Sequence, residues 1–301
     1  MIYNKINRKT ARNADGSAGE CFPIREIPAG SGALPVLVSP LMEQVPGIRH
    51  FFTTREGGVS EGILRSLNLS FSRGDEKSNV DENFRRVAAA FDTTPAHIVS
   101  TDQTHTANIR VVTAEDAGKG VVRPRDYTDV DGLITMEEGL ILGVYVADCV
   151  PVLIADPVTG AIGAVHSGWR GTVAGIGAAA VRMMKELYGT KPENLICAVG
   201  PSICRDCYEV SEDVAQRFEE TLAERAGEAV FFKGISSEGE RKYLVDLWQA
   251  NRIVLEKEGV LPRHISVTDV CTACNADLLF SHRASAGKRG NLGAFIMREH
   301  K

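Results

Sequence analysis

The spacing of apolar positions changes repeatedly along this chain, and each change predicts an element. Leu34–Pro40 (LPVLVSP) and Ile48–Arg55 (IRHFFTTR) alternate weakly between apolar and polar residues, the period of a half-buried strand. The glycine-rich stretch Arg55–Gly62 leads into Ser66–Ser70 (SLNLS), read as a further short strand. Asp81–Phe91 (DENFRRVAAAF) combines an acidic start with apolar residues at helical spacing and predicts a helix. Strands are expected at Ile98–Val99 and Ile109–Val112, on either side of the polar turn Asp102–His105. Two more are expected at Asp131–Thr135 and Ile141–Val146, which are rich in β-branched residues. Thr172–Tyr188 reads as one helix stopped by Gly189, and its small-residue first half requires a closely packed neighbour. Leu195–Val199 is a buried strand, Ser211–Ala226 and Asp246–Gly259 are amphipathic helices with Asp246 as a cap, and Ile265–Val270 and Ala294–Met297 are late strands. No repeat, linker or low-complexity tract interrupts the pattern. The expectation is one α/β-containing domain over residues 36–301 behind a poorly ordered extension, residues 1–35.

Composition narrows the class without naming a function. The 301 residues are 44% hydrophobic and 24% charged, as in an ordinary globular chain. A net charge of -5 argues against nucleic acid as a partner. No apolar run approaches the roughly 20 residues that a membrane helix needs. The first residues carry charge but no apolar core, so they do not read as a secretory signal. A cytoplasmic setting follows, in which the seven cysteines are expected as free thiols. Nothing in the pattern fixes an oligomeric state.

Candidate chemistry concentrates where apolar runs end. Cys149 follows the run Leu142–Ala147, His166 ends Ala161–Val165, and His105 closes the Asp102–His105 turn. Two histidines and a cysteine can hold zinc with one position open, the arrangement of a catalytic rather than a structural site. The same residues read equally as a buried small hydrophobe with two hydrogen-bonded turn histidines, or as a thiolate–imidazole pair oriented by Asp148. Arg170, just before a helix, and Arg55, beside Gly57 and Gly58, are candidates for an anion such as phosphate. Lys288–Asn291 is a third basic turn, read as surface. Cys204/Cys207 and Cys271/Cys274 form two CxxC pairs, but they lie much farther apart than the roughly 15–20 residues of a zinc ribbon.

The ordered series TREGGVS, SLNL, DQTH, DGLIT, ADCVPVL, HSGWRGT, GPSICRDCYEV and the Cys271–Arg283 segment resembles a known family. It is variously called YfiH, laccase-domain protein, polyphenol oxidase or peptidoglycan editing factor, and the resemblance runs from about Pro46 to the end. It implies an α+β fold, a single domain of two packed α/β halves in a layered sandwich. It implies zinc held by His105, Cys149 and His166, with copper less favoured because the chain has only seven histidines. It also implies phosphorolysis of purine nucleosides, including methylthioadenosine, and deamination of adenosine. For members linked to the cell wall it implies amidase-type removal of an amino acid from a UDP-muramyl precursor. A third reading, without catalysis, is a structural zinc protein built on the four CxxC cysteines, although Cys207 and Cys274 recur in only part of the family. The chain departs from the family pattern at Ser281–Ala284 and at Lys288–Phe295, both of which bear on a substrate pocket.

Overall fold

The computed structural model describes residues 6–9, 21–30 and 32–300. β1 (Ile24–Ala29) and β2 (Gly32–Leu37) form a hairpin, and helix α1 (Pro40–Glu43) connects it to β3 (Ile48–Thr53). Helix α2 (Lys77–Ala89) precedes the short strands β4 (Ile98–Ser100) and β5 (Ile109–Val111). β6 (Gly132–Thr135), β7 (Ile141–Val146), β8 (Val150–Ala155) and β9 (Ile162–Ser167) follow, then α3 (Trp169–Val173) and α4 (Ile176–Tyr188). β10 (Ile196–Val199), β11 (Glu209–Ser211), α5 (Glu212–Leu222), β12 (Val230–Ile235), β13 (Arg241–Val245), α6 (Leu247–Lys257), β14 (Ile265–Val267) and β15 (Leu292–Arg298) complete the chain.

The strands form two six-stranded sheets and one small one. The first has the order β1-β2-β3-β15-β7-β4, the second β14-β10-β8-β9-β6-β5, and the small sheet β11-β13-β12. Alternation along the strands decides how the large sheets stack, because successive side chains leave opposite faces. On β15, Leu292, Ala294 and Ile296 join a core shared with Leu153 of β8 and Ala164 of β9. Phe295 and Met297 point the other way, into a cluster with Val80, Phe84 and Val87 of α2. On β8, Val150, Val152 and Ile154 face α4, α5 and α6 instead. The result is a four-layer α/β/β/α sandwich, the layered α+β architecture that the resemblance implied.

Most expected strands form within a residue or two of their predicted limits. Four differences have physical reasons. The expectation of a poorly ordered extension to residue 35 fails for the hairpin, where Phe22 is fully buried and β2 pairs with β3 through Val36 and Thr53. Residues 1–5, 10–20 and 31 of that stretch lie outside the described residues. Ser66–Ser70 joins no ladder, because Asn83 caps its carbonyls from α2 and the Leu69 N–H donates to the Asn291 carbonyl. The single helix expected at Thr172–Tyr188 is broken into α3 and α4 by Gly175, which takes a left-handed φ of 73°. The helix expected at Ser211–Ala226 leaves α-geometry after Leu222, where Ala223 has a φ of 53°. The close packing predicted for the small-residue helix does occur: Gly177 of α4 lies against α6, where an added Cβ would rest in van der Waals contact with Leu255 Cδ2 at 3.4 Å.

Candidate active site

Three passages of chain cross between the large sheets at one end of the sandwich, and the site is built on them. β7 belongs to the first sheet and β8 to the second, so Ala147–Cys149 is a crossover that delivers Cys149 to the seam. The β4–β5 passage delivers His105 in the same way. His166 comes from the rigid end of β9, and the β14–β15 passage covers the site from the other side. His166 is buried (2% exposed), Cys149 half-buried and His105 exposed, so the trio runs from floor to mouth.

Two unusual backbone conformations aim these side chains. His105 has a φ of 69° and Asp148 a φ of 85°, both costly for residues other than glycine unless the surroundings enforce them. Asp131 enforces the first. Its fully buried carboxylate accepts the Thr104 (3.0 Å), His105 (3.1 Å) and Thr106 (2.9 Å) backbone N–H groups and the Thr106 hydroxyl. Gln103 pins the same loop to β7, donating to the Tyr145 carbonyl and accepting from its N–H. Asp148 is held by the Thr272 hydroxyl (2.6 Å) and the Arg283 N–H (2.6 Å).

The structure thus corrects the role expected for Asp148. The carboxylate that orients a candidate ligand is Asp131, whose Oδ1 lies 2.6 Å from His166 Nδ1 and leaves Nε2 free for the site. Burial would raise the Asp131 pKa, but the His166 hydrogen bond and the backbone donors outweigh it and hold it at about 2. Burial likewise pushes the His166 pKa down, while Cys149 and Asp131 lift it to about 9. At Cys149, burial is overcome by the His166 charge and by the His105 contact, and the thiol falls to about 6. Without a metal, the pair is a thiolate beside an imidazolium.

The donor set fits a metal. The ligand atoms of His105, Cys149 and His166 lie within 4.8 Å of one another. Cys149 Sγ is 3.9 Å from His105 Nε2, against about 3.6 Å for the two ligands of a tetrahedral zinc. Gly168 makes the cradle possible, since a Cβ there would come within 3.0 Å of both Cys149 Sγ and His105 Cδ2.

The trio opens into a cavity of about 340 Å³, within the roughly 300–1,000 Å³ usual for small-molecule sites. Its walls include the Phe71–Phe84 aromatic stack, Tyr145, Arg125, Arg289 and Asn291. Neither predicted anion-binding arginine lines it. Arg55 donates to the carbonyls of Arg65, Ala276 and Ile63 and lies over the Phe280 ring, so it braces loops. Arg170 is exposed and stacks on Trp169. Three other arginines, Arg73, Arg125 and Arg289, line it, and Arg289 is part of the turn read as surface. Its buried Nε has no partner, and burial together with Arg73 lowers its pKa to about 10.

The family described as "Multi-copper polyphenol oxidoreductase laccase" matches residues 49–299. The chain belongs to this family. Among its relatives is the protein named purine nucleoside phosphorylase YlmD of Bacillus subtilis, 35% identical over 81% of this chain and 86% of that one. Another is a purine nucleoside phosphorylase of Deinococcus radiodurans, 39% identical over 87% of this chain and 92% of that one. The crystal structure of the Bacillus licheniformis hypothetical protein YfiH superimposes with a TM-score of 0.83 at 33% identity, covering 92% of this chain and 99% of that one. The fold of this chain is thus shared with that structure over most of its length, beyond the isolated motifs.

Proposed function

We propose that this protein is a zinc-dependent purine nucleoside phosphorylase that also accepts methylthioadenosine and deaminates adenosine. The observation that carries the proposal is the convergence of His105, Cys149 and His166 on a nucleoside-sized cavity that also contains Arg289. The names of the relatives support the same reading. The donor set favours zinc over a mononuclear copper site of the cysteine–bis-histidine kind, which adds a weak axial methionine or amide oxygen. No methionine lines this cavity, and the Gln103 amide is committed at both ends to Tyr145. Bound at the trio, zinc would supply Lewis-acid polarisation and activation of water.

The protein's own groups account for the rest of the reaction. Phe71, stacked on Phe84, offers a face for a purine ring. Arg289, half-buried in the cavity wall, offers its guanidinium charge to a phosphate oxygen. His166, kept protonated on Nδ1 by Asp131, holds its ring fixed while the substrate binds. Phosphorolysis forms a bond from phosphate oxygen to C1′ and breaks the bond from C1′ to the purine nitrogen.

Chromatography of adenosine incubated with and without phosphate tests the proposal. The expected products are adenine and ribose-1-phosphate only when phosphate is present, inosine in either case, and neither from Cys149→Ala. Turnover in that variant equal to wild type would end the assignment.

The Cys149–His166–Asp131 alignment favours one second reading, an amidase acting on a UDP-muramyl precursor through the thiolate. Amino-acid release from that precursor that survives chelation but not alkylation would select it.

A further inference from the structure

Away from the cavity, the two CxxC turns meet. Cys204, Cys207, Cys271 and Cys274 have their sulfur atoms within 4.8 Å of one another, although partners such as Cys207 and Cys274 stand 67 positions apart in the chain. The topology makes this possible. β10 and β14 run parallel side by side, and their continuations stay paired through Ser202 and Cys271. Each continuation then folds into a single tight turn, Arg205–Cys207 and Ala273–Asn275, that brings the second cysteine of the pair back toward the first.

We propose that these four cysteines form a second metal site, a tetrathiolate that binds one zinc ion for structural purposes. The sulfur spacing fits: Cys207 Sγ and Cys274 Sγ are 3.4 Å apart, against about 3.8 Å between ligands of a tetrahedral zinc–thiolate centre. The cluster is too tight for iron–sulfur chemistry, in which the thiolates surround several metal atoms. The four cysteines border the apolar core, yet their sulfur atoms also meet one another and backbone donors. Here Cys271 Sγ accepts the Cys204 N–H (3.3 Å) and the Cys274 N–H (3.4 Å), the donors that a thiolate needs when buried. Cys204 and Cys271 are buried and the other two half-buried, so the site is closed, with no open position for catalysis.

The position of this tetrad gives it a task. Thr272, inside the second CxxC turn, donates its hydroxyl to Asp148, and Ile203, beside Cys204, donates its N–H to the Asp148 carbonyl (3.0 Å). Both contacts hold the strained residue that aims Cys149. Zinc at the tetrad fixes both turns and hence that aim.

The test is metal analysis of the full chain after reconstitution with zinc under reducing conditions. Wild type should retain two equivalents and Cys149→Ala and Cys274→Ala one each. A single wild-type equivalent that disappears in Cys149→Ala would overturn the proposal. Should Cys274→Ala fail to fold, Cys149→Ala loaded with cobalt keeps the tetrad intact and should show the intense visible absorption of tetrahedral cobalt tetrathiolate. Its absence would overturn the proposal, as would acid-labile sulfide. So would a thiol count of five rather than seven in the denatured, unreduced chain, because two cysteines would then be joined.

Discussion

Asp131 does more than any other single residue to shape the active site. It takes three backbone N–H groups from the His105 loop and the Nδ1 proton of His166, so one carboxylate locates two of the three candidate ligands. This chain of charges dictates how Cys149 behaves when no metal is bound. Its pKa is lowered, so the thiolate predominates above about 6. Iodoacetamide labelling of the chelated protein, followed on the Cys149 peptide, should rise through a midpoint near 6. In Asp131→Asn the His166 charge loses its partner, and the midpoint should climb toward the ordinary thiol value. An unchanged midpoint would show that Asp131 acts on the loop alone. The trio itself is legible in the sequence because Cys149 and His166 stand where apolar runs end and His105 closes a polar turn between two strands. Asp131 is not, because an aspartate opening a strand reads as a turn residue. Arg289 is lost for a similar reason: a basic turn signals surface until the fold shows what lies behind it.

At the scale of elements, strands buried on both faces are the most legible. β7, β8 and β9 are continuous apolar runs, and the structure places each between two layers. The small sheet is nearly invisible in the sequence, because β12 is half-exposed and its pattern is mixed. A helix break set by one glycine is equally hidden. A Cβ at Gly175 would have its nearest neighbour, Ala178 Cβ, at 3.8 Å, so space is not the constraint. The left-handed φ is. Gly175→Ala should cost about 1 kcal/mol in urea unfolding, and Gly175→Asn less, because asparagine tolerates that conformation. Equal costs for the two would place the effect in packing instead.

At the scale of the whole molecule, the last strand completes the first sheet. β15 pairs with both β3 and β7, and without it the hairpin end of that sheet has no link to β7 and β4. It also contributes to both cores that flank the sheet. A chain ending at Asn291 should therefore show no cooperative unfolding transition, whereas one ending at Arg298 should unfold in a single step near the full-length midpoint. Circular dichroism against urea distinguishes them. This closure was out of reach of sequence pattern, since alternation reports a strand's faces and not its neighbours.

The passages that bear Cys149 and His105 each run from one large sheet to the other. Neither side chain can reach its place until the two layers have met, so the candidate metal site exists only in a chain whose two large sheets have packed together.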